Sequence, residues 1–356
     1  MKKSLLPVFL SLFLTASLSA QNLKVEVFSG SEPLGHAYIF INSEVFGAAD
    51  EAGVTNIPQA RLNIGDTISA SFVGMQGGGV VYDDAMRRAA ACRLDLQSLY
   101  RIEDITVSAK GEDPYKLYRK YIRRQYPAWY ARLYESWWQP MKRLDFSFNY
   151  EQLDKNDNSI KNSEGNMSMF FYHLPEDTVD ITPIRHRLLD FDAAGDTTGV
   201  AIKVKSDLYR IYVTAAVIYY ADNQSHRRWT ALRYMGEDGP YRVFTLASRD
   251  ESLQVIRGIY SSMLNGTYQT LVKVDKKSKD IRHIEGLSIR NGHYIRTTAD
   301  YVRGKNGMLL TRADAHTIDF ETNTETKLDI RDMVITPYQE QPPSDAGDAG
   351  NTRRRR

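Results

Sequence analysis

Val274-Asp275-Lys276-Lys277-Ser278-Lys279-Asp280-Ile281 is the stretch that decides how the larger part of this chain reads. The apolar run 267–274 leads into it and a second run, 281–289, leads away. Six polar residues lie between, with an aspartate at each end, which is the signature of an antiparallel hairpin. Runs of the same kind recur at 144–150, 167–172, 200–205, 208–220, 230–235, 241–248, 294–302, 308–320 and 327–334. Joined by short polar turns, they predict a domain over 144–338 built as one strongly curved antiparallel sheet, with a helix at 250–256.

Upstream, 21–108 reads as a smaller all-β region. Leu23-Lys24-Val25-Glu26-Val27-Phe28 alternates at period two, as a half-buried strand does. Gly30 to Pro33 turns the chain, Ala37-Tyr38-Ile39-Phe40-Ile41 returns it, and Asp50-Glu51-Ala52-Gly53 turns it again. This density of short strands predicts a β-sandwich. Pro33-Leu34 with Ala37 and Ile39, Asp50-Glu51-Ala52-Gly53, and Gly65-Asp66-Thr67-Ile68 with Ser71 and Gly74 together resemble the carboxypeptidase regulatory-like domain. Ile102-Glu103-Asp104-Ile105-Thr106-Val107 fits the strand that closes such a region. The match departs at Ala49, where a Thr is usual, and at Met75, where an aromatic is common. The resemblance implies a transthyretin-like sandwich and an export context, and no catalysis. The strand–Asp-turn–strand pattern at 274–281 is similar, as pattern only, to the half-barrel of periplasmic lipoprotein carriers. That resemblance implies a concave face able to hold acyl chains, and fold alone assigns no function.

Between the two β regions, 109–143 has a different character and is read as a basic, aromatic helical joint. Asp113 before Pro114 makes an N-cap and a first helical position. Tyr115, Leu117, Tyr118, Tyr121 and Ile122 fall on one half of the helical wheel; Lys116, Arg119, Lys120, Arg123 and Arg124 fall on the other. Pro127 ends this helix and starts a second, which carries Trp129, Tyr130, Leu133, Tyr134, Trp137, Trp138 and Met141. The stretch 114–134 holds six basic residues and no acid. Its cations are candidates for contact with an anionic surface. Trp129, Tyr130, Tyr134, Trp137 and Trp138 are candidate aromatic contacts, including for sugar rings. Solvated charge over an aromatic face packed on its neighbours is the plainer reading.

Composition narrows the function. Lys2 and Lys3, the apolar run 5–18 and Ser17-Leu18-Ser19-Ala20 read as a cleaved export signal over 1–20, too short to span a bilayer comfortably. No Cys follows the run for lipid attachment. The formal charge of +2 falls to zero once those two lysines leave, which argues against nucleic acid as a partner. The single cysteine, Cys92, rules out an internal disulfide and reads as a small buried residue. The polar stretch 339–356, with Arg353, Arg354, Arg355 and Arg356, reads as a disordered tail, and no transmembrane segment is expected after signal cleavage.

Motifs for chemistry are weak. His173-Leu174-Pro175-Glu176 spells a zinc-peptidase pair, but Pro175 sits inside it and too few residues follow for the catalytic domain that pair serves. The loop from Asp154 has Ser159 where a calcium loop needs Gly, and Gly165 where it needs Glu. Asp190, Asp192 and Asp196 cluster in a Gly-containing loop and lack regular ligand spacing. No catalytic residue, cofactor or metal is assigned. The expectation is a mainly β exported protein of the periplasm or the periplasmic face of the outer membrane. It is read as a non-enzymatic binding or scaffold protein with a lipid, glycan or outer-membrane protein as partner. The alternative is an envelope glycan or peptide hydrolase whose site the sequence does not expose.

Overall fold

A computed structural model describes residues 22–98, 113–123, 142–172, 185–220, 230–248, 267–290, 292–304 and 307–337. The chain forms two compact units, one built on Met1–Asp104 and the other on Ile105–Leu246 with Asp250–Arg356.

The first unit has ten short strands: β1 (Asn22–Ser29), β2 (Glu32–Pro33), β3 (Tyr38–Ile41), β4 (Glu44–Ala48), β5 (Val54–Pro58), β6 (Thr67–Ser71), β7 (Met75–Gln76), β8 (Gly78–Val81), β9 (Ala91–Asp95) and β10 (Gln97–Ser98). One sheet runs β2-β1-β5, with β9 added parallel to β1; the other runs β4-β3-β6-β8. In β1 the alternation is strict, with Leu23, Val25 and Val27 fully buried and Lys24 exposed. The Asp50–Gly53 turn is held by Asp50, whose Oδ1 accepts the N–H groups of Ala52 and Val54 at 2.9 Å each. Gly53 takes φ +75°, and a Cβ there would stand 2.7 Å from the Val27 carbonyl oxygen. A short helix that the all-strand reading omits, α1 (Asp84–Ala89), is capped by Asp83 accepting from the Met86 N–H at 2.7 Å.

The second unit opens with α2 (Pro114–Tyr118), capped by Asp113 accepting from the Tyr115 N–H at 3.0 Å, with Pro114 first in the helix. It widens into one π turn over Arg119–Arg123. Then come β11 (Lys142–Leu153), β12 (Ser159–Tyr172), β13 (Arg185–Gly195), the 21-residue helix α3 (Val200–Tyr220), β14 (Thr230–Asp238), β15 (Tyr241–Ser248), β16 (Thr267–Asp275), β17 (Ile281–Arg290), β18 (His293–Gly304), β19 (Gly307–Asp319) and β20 (Thr324–Pro337). All ten strands form one sheet in the order β13-β12-β11-β20-β19-β18-β17-β16-β15-β14. Register shifts at Gln152/Leu153, Asp145/Ser147, Ser168/Met169, Lys273/Val274 and Asp300/Tyr301 insert bulges, which bend strands and increase their twist. These bends let a wide sheet curl around a core.

The curved antiparallel sheet and the 274–281 hairpin are as the sequence predicts. Two of its strands are not: 200–205 and 208–220 belong to α3. Val200, Val204, Leu208 and Ile211 recur at helical spacing and are all buried, while the valines, isoleucines and tyrosines of the run also suit a strand. In exchange β13 is a strand where Asp190 and Asp192 read as a loop. The helices expected at 250–256 and after Pro127 lie outside the described residues, as do the signal, 102–107 and the tail. Among the described residues no helix is long and apolar enough to cross a membrane.

Gly53→Ala should destabilise the first unit by about 1–2 kcal/mol or more, because left-handed backbone and the Val27 carbonyl both oppose a side chain. Amide exchange in β1 should rise accordingly. Gly47→Ala, with nothing within 4 Å of the added carbon, should stay within about 0.5 kcal/mol of the parent.

Candidate functional site

The inner face of the large sheet is apolar from β12 to β16. Phe146, Phe148, Tyr150, Met167, Met169, Leu328, Ile330, Leu310, Ala313, Ala315, Ala299, Ile284 and Val272 are all buried in one cluster. Helix α3 lies on this face, packed against β17, β18 and β19. Across those strands the inward residues are small: Gly286, Thr297 and Ala315 form one cross-strand row, and Ala299 and Ala313 pair in the next. Small side chains let a helix backbone come close.

One feature of α3 does not fit a plain core helix. On its packing side, beside Val204 and Leu208, stands Asp207, whose side chain is 2% exposed. Lys203 Nζ donates to it at 2.8 and 2.9 Å, and Arg210 at 2.9 Å. Lys203 and Arg210 are 26% and 34% exposed, so the trio runs from the sheet–helix interface out to water. Burial pushes the Lys203 ammonium below its ordinary value, against the pull of Asp207. The trio's charge also reaches the sheet: the Tyr150 hydroxyl is raised, first by burial and then by Asp207.

The second feature gathers at Tyr121, in the π turn. Leu117, Tyr118 and Tyr121 bury the aromatic half of this segment in the sheet core, with Tyr118 edge-on to Phe244 at 5.9 Å. The Tyr121 ring has three cations around it. Arg242 of β15 lies 3.9 Å from its centroid, Lys279 of the β16–β17 turn 4.2 Å, and Lys120 5.3 Å. The turn is pinned at both ends. Asp275 accepts the N–H groups of Lys277 and Ser278 at 2.8 and 2.7 Å. Asp280, fully buried, takes a 2.6 Å bond from Arg303; burial pushes its carboxyl up, and the hydrogen bond of Arg303 brings it below the usual range. Of the predicted surface cations, Lys116 and Lys120 are exposed and Arg119 is half-buried. The side chain of Arg123, and all of Arg124, Trp129, Tyr130, Tyr134, Trp137 and Trp138, lie outside the described residues. Sequence reasoning missed Arg242 and Lys279, which the sheet order brings to the helix from far along the chain.

The outer face of the sheet is a lattice of paired charges. Arg296 meets Glu285 at 2.9 Å, His283 meets Asp300 at 2.6 Å, and His316 and Lys327 share Glu325 at 2.8 and 3.0 Å. Two clefts of about 420 and 430 Å³ meet there at Asn149 and Asp329. Asp329, shared by both, pairs with Arg331 and with Arg312. Asp332 holds a left-handed backbone, φ +53°, and accepts from the Ser147 hydroxyl at 2.9 Å.

The remaining motifs are structural. Asp154 binds the N–H groups of Asn156 and Asn158 in its own turn. Asp190 and Asp192 sit on β13, while Asp196 accepts the Thr198 N–H ahead of α3. No group of three His, Cys, Asp or Glu among the described residues is placed to hold a metal ion. The Cys92 thiol, buried in β9, is pushed up to about 11 by that burial, so it is a protonated core residue at neutral pH. His173 and Glu176 lie outside the described residues.

No protein-family model matches the chain, and no curated protein matches it. Solved structures similar in part include three from bacteria. A DUF1329-family protein from Desulfovibrio piger is 9% identical with a TM-score of 0.29, over 62% of this chain and 93% of that one. A LolA-superfamily protein from Nitrosomonas europaea is 11% identical at 0.22, over 60% and 94%. The domain of a putative outer membrane lipoprotein-sorting protein from Vibrio parahaemolyticus is 12% identical at 0.24, over 56% and 87%. These values assign the chain to no family.

Asp207→Asn should cost about 2–3 kcal/mol, less than a fully enclosed pair because Lys203 and Arg210 reach water. The deficit should shrink as pH rises toward the lysine range. Without its partner, folded Lys203 releases its proton at lower pH than the unfolded chain does, so stability climbs with pH. Urea unfolding at neutral and alkaline pH reads both effects.

Proposed function

We propose that this chain is a non-enzymatic binding protein of a bacterial envelope. Its second unit receives a long apolar group, such as a lipid acyl chain, between α3 and the inner face of the curved sheet. The observation that carries this reading is the Lys203–Asp207–Arg210 trio of α3, whose carboxylate is buried on the packing side of the helix. Burying charge is costly, and replacing such a cluster with apolar side chains of similar size is often neutral or stabilising by about 1–4 kcal/mol. A helix kept permanently on its sheet gains nothing from it. A helix that lifts does gain, because the Asp207 carboxylate recovers its hydration as it leaves, and opening costs less. The face beneath is apolar, which favours an acyl chain over a glycan. The envelope location rests on the export signal that the first twenty residues spell.

The test is uptake of a fluorescent fatty-acid analogue by the full-length protein, alongside native mass spectrometry of protein from its own host. Parent protein should take up the probe and co-purify with lipid. Lys203→Met, Asp207→Leu and Arg210→Met together should leave it at least as stable and slow uptake about tenfold or more. No bound lipid and no probe uptake by the parent would sink the reading and leave a scaffold.

A further inference from the structure

We propose that the cations around Tyr121 form a docking site for an anionic phospholipid surface, a function separate from whatever the inner face of the sheet holds. Three elements distant in sequence converge there: the π turn with Lys120 and Tyr121, β15 with Arg242, and the β16–β17 turn with Lys276, Lys277 and Lys279. Nearby negative charge falls short of balancing them. Glu237 is shared between Lys276 and Arg242, the latter at 3.3 Å. Asp238 is taken by Lys273 at 2.8 Å, and Asp275 spends its oxygen on the backbone of the turn. Among the described residues neither Lys120 nor Lys279 has a carboxylate partner. Three cations crowded on one ring repel each other. The π face of Tyr121 offsets part of this, and an external anion would offset the rest.

The Lys279 backbone points the same way. It is left-handed, φ +61°, a conformation that costs a side-chain-bearing residue energy and glycine almost none. A lysine stands where glycine would serve the turn better, and its ammonium goes to the Tyr121 ring while also donating to the Lys276 carbonyl. Backbone strain held by surrounding structure is a mark of a site under a functional constraint.

The cations form an open array rather than an enclosed pocket. Lys116 and Lys120 are exposed along α2 and the π turn, and Lys277 is exposed at the tip of the hairpin. An array of long, flexible ammonium groups spread over a surface matches many phosphates in a plane better than one ion. Each such residue near an anionic bilayer adds about fivefold to affinity.

The experiment is co-sedimentation of the full-length protein with phosphatidylcholine vesicles, with and without phosphatidylglycerol, at low and high salt. The expected result is binding to the anionic vesicles alone, weakened by salt and unaffected by inorganic phosphate. Lys120→Gln, Arg242→Gln and Lys279→Gly together should lower it about a hundredfold, following the fivefold contribution of each charge. A control that removes three outer-face charges, Arg312→Gln, Lys327→Gln and Arg331→Gln, should leave it near the parent. Should the triple variant fold poorly, Lys279→Gly alone decides. It relieves the strained backbone, so it should be as stable as the parent while losing about fivefold in vesicle binding. Equal binding to neutral vesicles, an unchanged Lys279→Gly variant, or displacement by inorganic phosphate would each overturn the proposal; the last would make the cluster a free-anion site. Acyl-probe uptake, measured on the same variants, should not change, so a failure of one reading is distinct from a failure of the other.

Discussion

The second unit depends on one connection. Strand β13 is one edge of the ten-stranded sheet and β14 is the other, yet only residues 196–229, with α3 among them, separate the two in the chain. Laid flat, ten strands about 4.8 Å apart would separate those edges by about 43 Å, while a helix of 21 residues reaches about 31 Å. The connection crosses the face of the sheet, where α3 packs on β17, β18 and β19, and curvature shortens its path. Everything distinctive about the inner face follows. The small residues of β17, β18 and β19 lie where the helix passes, the bulges bend the strands around it, and the buried charge trio is what the helix brings with it.

The two faces of the sheet are organised by different physics. Inside, burial of apolar surface dominates, and Asp207 is tolerated because two cations satisfy it. Outside, Arg296–Glu285, His283–Asp300 and His316–Glu325 lie across neighbouring strands, each pair worth a fraction of a kcal/mol where solvent reaches it. Such a lattice blocks stray apolar contact and fixes strand register. The basic cluster at Tyr121 differs from that lattice, since among the described residues neither Lys120 nor Lys279 meets a carboxylate.

Strand runs with β-branched residues and polar turns were legible from sequence, as at 274–281, because a period of two and an aspartate-ended turn are local signals. The N-cap at Asp113 and Pro114 was legible for the same reason. Helix α3 was not: its Val, Ile and Tyr content suits a strand, and the spacing of Val200, Val204, Leu208 and Ile211 was the one cue against it. Strand β13 hid behind Asp190 and Asp192, which face outward on a strand rather than marking a loop. The Tyr121 cluster could be only half read. Its helical cations are contiguous, but Arg242 and Lys279 join them through sheet order, which no local pattern encodes.

The seam between β11 and β20 has a kinetic meaning as well. Ser147 faces Arg331 across it, 184 residues away in the chain, so the first three strands cannot complete their sheet until the last has been synthesised. Pairings at such separation form slowly, because loop closure must come before the contacts that reward it. A chain whose closing strand comes late leaves the β20-facing edge of β11 unpaired until that strand arrives, and an open strand edge is a template for pairing with other chains.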